Sequence, residues 1–214
     1  MPPGPKPTHS REEFVEEAIH LADELGIAAV TVRALGSRMN ASSTAIYRYF
    51  PDKDGLLAAM RERLLDEAFA SAPSIEDPRE RIQSSAFAYR RTAQAHPCLS
   101  QLMVLSSLSE ERTYLAPRLI TDALRQLGIK GELLVRGYRQ LESLVVGASL
   151  FDFSDAPRHL EERFSRLHDA EIPEFNNSYS DPTDVERINE SAFHASVVTI
   201  LDSLVTQAKA EAGS

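Results

Sequence analysis

Between residues 31 and 53, in TVRALGSRMNASSTAIYRYFPDK, several side chains that suit a polyanion stand close together. Tyr47 offers a phenolic donor on a rigid ring. Lys53 offers an ammonium at the start of a predicted helix, where backbone N–H groups also face outward, so both suit phosphates. The hydroxyls of Ser42, Ser43 and Thr44 are sequence-tolerant hydrogen-bonding groups, and Arg33 is the nearby side chain suited to a bidentate contact with guanine. Plainer roles stay open beside these. Tyr49 and Phe50 read as hydrophobic core or hinge packing, and Arg48 reads as a solvated charge.

Two short predicted helices must position these groups. Thr31 can cap a first helix whose apolar face is Val32, Leu35 and Met39. Asn40 tolerates positive φ and can stop that helix within one residue, giving the sharp change of direction a helix-turn-helix needs. Ser42 or Ser43 caps the second helix. It is too short to be stable on propensity, so Ile46 and Phe50 are expected to anchor it on a hydrophobic base, leaving Ser43, Thr44, Tyr47 and Arg48 for a partner. Charge points to the partner. The chain has a formal net charge of -9, yet from Leu25 to Pro51 it contains no Asp or Glu, while Arg33, Arg38 and Arg48 lie there and Lys53 just beyond. A local basic patch on an acidic molecule favours docking at one face over indiscriminate coating of a polyanion.

The segment TVRALGSRMNASSTAIYRYFPDKDGLL, preceded by the longer helix REEFVEEAIHLADELG, resembles the signature of the tetracycline repressor family of bacterial transcription regulators. The resemblance covers about the first 65 residues. It implies that Tyr47, Lys53 and Thr31 contact backbone phosphates, and that Arg33, Ser43, Thr44 and Tyr49 fall where members touch bases or adjacent sugar-phosphate. Two positions depart from the pattern: Gly36 stands where Ala is common, and Asn40 where Gly is. The first costs a helix ~1 kcal/mol relative to Ala; the second keeps the turn.

At 214 residues and 43% hydrophobic content, the chain has room for one large or two small globular domains. Its single Cys excludes an internal disulfide framework and suits a reducing cytoplasm. No apolar run is long enough to span a bilayer and the N-terminus lacks an apolar signal core, so a cytoplasmic protein with no membrane partner is expected. Residues 1–9 read as a flexible Pro-rich arm carrying Lys6. An all-α fold follows: a DNA-binding domain over 10–70 that includes a connecting helix, then a helical regulatory and dimerisation domain over 71–214. Ser10 with Glu13 forms a capping box for the first helix, whose buried face is Phe14, Ala18, Leu21 and Leu25. Asp52 caps the connecting helix, with Leu56, Leu57, Met60 and Leu64 inward, and SAPSIED at 71–77 breaks it. Helices are then expected from Asp77-Pro78, over Cys98 to Leu108, Glu110 to Leu127 with a break at Pro117, Glu132 to Phe153, Pro157 to His168, and Thr183 to Ala208. Ala170 to Asp181 reads as a long irregular connection.

Two helices look too apolar for a surface. Leu144, Val146 and Phe151 in the first, and Phe193, Val197, Val198 and Leu201 in the second, mark surplus faces that imply a homodimer; the resemblance implies a four-helix bundle at that interface. The resemblance also implies a small-molecule cavity in the C-terminal domain. Phe87, Tyr89, Leu102, Met103, Tyr114, Tyr138, Phe151 and Phe164 are candidates to line it, and Phe87 and Tyr89, two apart on a helix, point to nearly opposite sides.

Enzyme chemistry finds little support. His96 and Cys98 flank a Pro and lack an orienting third group, His159 and His168 are spaced wrongly for one helix face, adjacent Glu pairs read as solvated, and there is no Gly-rich phosphate loop. No cofactor and no metal are expected. The reading is a homodimeric regulator, most simply a repressor, that binds a palindromic double-stranded DNA operator and is released by a small organic effector. Alternatives are a ligand-independent DNA-binding or partner-binding protein of the same fold, or a helical-bundle enzyme.

Overall fold

A computed structural model describes residues 9–70, 72–105, 115–153, 162, 165–166, 169, 172–178 and 180–213, and no strand occurs among them. Helix α1 (Arg11–Leu25) begins at the expected capping box, with Ser10 Oγ accepting from the Glu13 N–H at 3.1 Å and Glu13 Oε2 accepting from the Ser10 N–H at 2.7 Å. Phe14, Ala18 and Leu21 are buried, but Leu25 is 66% exposed. The last turn of α1 projects past the core, and Gly26, at φ +83°, turns the chain aside there.

Helices α2 (Val32–Met39) and α3 (Ser43–Tyr47) form the expected pair. Thr31 Oγ1 accepts from the Ala34 N–H at 3.1 Å, and Ser42 Oγ from the Ala45 N–H at 3.2 Å, so both helices start on a side-chain cap. Asn40 sits in the left-handed region, at φ 49° and ψ 42°, and ends α2. Gly36 has a steric reason that helix propensity hides. A Cβ there would lie 2.7 Å from the Ala41 carbonyl oxygen, so the turn can close this tightly only because the side chain is missing. Ile46 and Phe50 are buried and hold α3 on the core.

Helix α4 (Lys53–Phe69) starts with Asp52 Oδ1 accepting from the Gly55 N–H at 2.8 Å, and buries Leu56, Leu57, Met60 and Leu64. A 3₁₀ turn at Ala72–Ser74 follows within the expected break, and Asp77 then caps α5 (Pro78–Ala95) by accepting from the Glu80 N–H at 2.7 Å. Next come α6 (Cys98–Leu105), α7 (Leu115–Gln126) and α8 (Gly131–Phe153). Pro117 is the third residue of α7 as described, and residues 106–114, over which the expected helix from Glu110 would begin, lie outside the described residues. A short helix α9 (Pro173–Ser178) occupies part of the stretch expected to be irregular, and α10 (Pro182–Ala212) is longer than expected at both ends. The expected helix over 157–168 lies largely outside the described residues.

Two apolar clusters organise these helices. One joins α1 to α4 with Tyr89 and Ala93 of α5 and Cys98, Leu99 and Leu102 of α6. The other joins Ile82 and Ala86 of α5 with α7, α8 and α10. The chain breaks at 71–77, but packing does not: α5 belongs to both clusters and ties the head to the body.

The Arg90 guanidinium donates to Asp152 Oδ2 at 2.6 Å and lies 5.0 Å from the Phe193 ring centroid, while Asn189 Nδ2 donates to Asp152 Oδ1 at 3.0 Å. Arg90, Asp152 and Phe193 come from α5, α8 and α10, so this buried ion pair sits at the junction of all three.

Candidate nucleic-acid interface and regulatory cavity

The exposed side of the α2–α3 pair carries Thr31, Arg33, Ser42, Ser43, Thr44, Tyr47 and Arg48, with Lys53 exposed at the start of α4. Tyr47 is 51% exposed, high for so large a ring, because Ile46 beside it takes the buried face of a five-residue helix. Arg33, Arg48 and Lys53 have no carboxylate within ion-pair distance among the described residues. Their charge is free to meet an external anion.

The same geometry removes three expected features. Arg38 does not belong to the free patch: its Nε lies 2.5 Å from Glu17 Oε1, and its two terminal nitrogens donate to Glu24 at 2.7 and 3.1 Å. Both carboxylates come from α1, outside the acid-free window, and the bidentate bond holds the Glu24 carboxyl below its ordinary range. Arg38 braces α2 on α1. Tyr49 is also withdrawn from the surface. Its hydroxyl donates to the His9 carbonyl at 3.2 Å and its ring lies 5.9 Å from Phe14, so it pins the start of α1 and does not reach outward to DNA. At the start of α4 the Gly55 amide is taken by Asp52, so what this terminus offers a phosphate is chiefly the Lys53 ammonium.

In the body, a cavity of ≈ 550 Å³, open solvent included, lies among α4 to α8. Tyr89, Met103 and Tyr138 line it as expected. Phe87 does not; it points to the other side of α5, 5.5 Å from the Phe193 ring. Leu102 is buried in the head-side cluster, and Phe151 is 59% exposed on α8, so neither belongs to the wall. Tyr114 and Phe164 lie outside the described residues. Leu65 and Phe69, near the end of α4, line the cavity without having been expected to. Nothing local in the sequence marks them, because they reach it through the packing of α4 on α5.

The expected dimer face also changes. Phe193, Val197 and Leu201 are buried within the single chain against α8 and α5, so they are core and not a surplus face. Val146 lines the cavity. Leu144 and Val198 are partly buried, and Phe151, Gly147 and Ser143 are exposed along one side of α8, with Ala195 and Thr199 exposed on α10.

His96 and Cys98 prove structural. His96 Nδ1 lies 2.7 Å from Asp23 Oδ2, linking the end of α5 to α1, and burial pushes the Cys98 thiol far above its ordinary pKa. Such a thiol is inert at neutral pH. No group of three His, Cys, Asp or Glu side chains able to hold a metal ion occurs among the described residues; His159 and His168 lie outside them. No helix among the described residues is long and apolar enough to cross a membrane.

Residues 14–60 match the model of the bacterial regulatory proteins of the tetR family. The chain is 31% identical over 123 residues to the HTH-type transcriptional repressor Rv1353c of Mycobacterium tuberculosis H37Rv, an alignment covering 56% of this chain and 47% of that protein. It therefore spans about half the length of the curated relatives it matches. Among solved structures, a possible TetR family transcriptional regulator from Streptomyces coelicolor A3(2) superposes with a TM-score of 0.75 at 23% identity, covering 91% of this chain and 98% of that one. The Streptomyces coelicolor TetR family protein ActR, in complex with actinorhodin, superposes with a TM-score of 0.71 at 19% identity, covering 94% and 98%. At these identities the likeness to solved structures is one of fold.

Proposed function

We propose that this chain, which belongs to the tetR family of bacterial regulatory proteins, binds an operator in double-stranded DNA as a homodimer and represses transcription until a small organic effector fills its cavity. The observation that carries the DNA reading is the unpaired set Arg33, Arg48 and Lys53 around the exposed hydroxyls of α3, on a molecule that is acidic overall. Residues 42–48 enter a major groove. Lys53 and Tyr47 hold backbone phosphates, with Thr31 and Ser42 beside them, and Ser43, Thr44 and Arg33 face bases. A recognition helix of five residues makes too few contacts for useful affinity alone, so a second half-site, a multiple of about 34 to 36 Å away, supplies the rest. The dimer face is the exposed side of α8 around Ser143, Gly147 and Phe151, together with Val198 and its neighbours on α10.

The switch follows from α4. Its first residue, Lys53, stands at the DNA end, and Leu65 and Phe69 near its other end line the cavity, about 25 Å away along a helix of 17 residues. A ligand that displaces Phe69 tilts a rigid rod whose far end sets the position of the head. Because α5 also touches both regions, cavity and head are coupled by packing and not by a loop.

Lys53→Ala is expected to weaken binding to every DNA sequence and to reduce the slope of log affinity against log salt by about one. Arg33→Ala is expected instead to narrow the gap between operator and non-operator DNA. A salt titration by fluorescence anisotropy on both DNAs separates the two. An unchanged slope for Lys53→Ala takes that side chain off the phosphate.

A further inference from the structure

The wall of the cavity is almost entirely carbon, and its few polar side chains are three hydroxyls and one carboxylate. Ser85 Oγ donates to the Arg81 carbonyl at 2.7 Å and is satisfied within its own helix. The Tyr138 hydroxyl donates to Glu142 Oε1 at 2.9 Å. The Tyr89 hydroxyl is buried close to that of Ser100 on α6, and no hydrogen bond of good geometry joins it to a described residue. Burial pushes this phenol up to about 12, so it stays a neutral donor at any physiological pH. Among the described residues Glu142 supplies the only formal charge in the wall, and no described Lys, Arg or His lines it. Arg139 pairs with Glu142 from outside the wall and is 67% exposed, a position in which an ion pair binds weakly. The Glu142 side chain itself is 26% exposed, whereas Ile82 and Tyr89 are buried, so the carboxylate marks the wetter end of an otherwise dry space.

We propose that the cavity takes a lipophilic monocation, its ammonium-type group at Glu142 and its apolar body against Phe69, Tyr89 and Tyr138. This assignment rests on the reading of the cavity as the effector site. A cation placed at Glu142 keeps part of its hydration and gains a carboxylate. An anion of the same shape meets the carboxylate with no positive group among the described wall residues to offset it, and a neutral molecule gains only the apolar contacts. The aromatic side chains fit a ring-bearing body, since Phe69, Tyr89 and Tyr138 present flat apolar surfaces.

The test is calorimetry of the intact protein with three probes that differ only in the head group: 4-phenylbutylamine, 4-phenylbutanol and 4-phenylbutyrate. The amine is expected to bind about tenfold or more tightly than the alcohol, with the carboxylate weakest. Glu142→Gln is expected to bring the amine within about twofold of the alcohol, while Glu142→Asp, which keeps the charge, retains a clear preference for the amine. A carboxylate that binds as well as the amine overturns the proposal. So does an amine preference that survives Glu142→Gln, or the absence of binding by all three at millimolar concentration. Operator release, measured in parallel, keeps the two readings apart. Binding of the amine that depends on Glu142 but leaves operator affinity unchanged upholds the cation site and removes the effector role; release of operator by the alcohol or carboxylate with no charge preference upholds the effector role and removes the cation site.

Discussion

A protein carrying Gly147→Glu is expected to sediment as a monomer at micromolar concentration, where the unmodified protein sediments as a dimer, and to lose operator affinity by about a hundredfold or more. Gly147 lies in the C-terminal half of α8 on its exposed side, and a Cβ there meets nothing within 4 Å in the single chain. The substitution therefore leaves the subunit's own packing untouched and even improves local helix propensity, by ~1 kcal/mol for leaving Gly. In a two-fold interface the same position faces its own copy or the partner's α10, and an unpaired carboxylate closed off there costs several kcal/mol on each side. The signature is specific: an unfolding midpoint of the subunit no lower than before, a halved mass, and weak operator binding. Val198→Asp on α10 is expected to act in the same direction. A dimer that persists in both variants moves the interface elsewhere, and a monomeric unmodified protein removes it.

The second large effect is on stability. Arg90→Ala is expected to lower the unfolding free energy by about 3–5 kcal/mol, because it removes the ion-pair partner of Asp152, a carboxylate only 8% exposed. The loss includes the contact of the guanidinium with Phe193, which bridges α5 to α10. Replacing the pair together, Arg90→Met with Asp152→Leu, is expected to cost far less, since no charge is then stranded. Urea titration of the two proteins decides it. A cost for Arg90→Ala below ~1 kcal/mol means that the pair is effectively solvated and does not hold the body together.

What the sequence carried clearly was local. Caps at Ser10, Thr31, Ser42, Asp52, Asp77 and Asp181 act within three residues of themselves, and each stands at a helix start. The turn at Asn40 and the anchors Ile46 and Phe50 are equally local, which is why the two helices could be placed, with the cap of the second left open between Ser42 and Ser43. The misplaced residues all depend on partners far along the chain. Arg38 looked free because its carboxylates are on α1, 14 residues or more away. Tyr49 read as core or hinge packing from the residues and as a DNA contact by resemblance, and the group that holds it, the His9 carbonyl, lies 40 residues back. Phe193, Val197 and Leu201 looked surplus because a helix with apolar residues on two faces reads the same whether its second neighbour is another subunit or, as here, α5 and α8 of its own. Leu65 and Phe69 were missed as cavity residues for the same reason: periodicity says that a side chain is buried, not what it is buried against.

The head is thus the part of the molecule whose chemistry can be tested without knowing the effector. The most direct measurement is selection of bound sequences from a random double-stranded oligonucleotide pool by the purified protein. Enrichment of an inverted repeat whose half-sites lie a whole number of helical turns apart, lost on Gly147→Glu and weakened for all sequences by Lys53→Ala, is the predicted result. A pool that emerges without an inverted repeat, from a protein that is folded and dimeric, contradicts the assignment of residues 42–48 as a paired reading head.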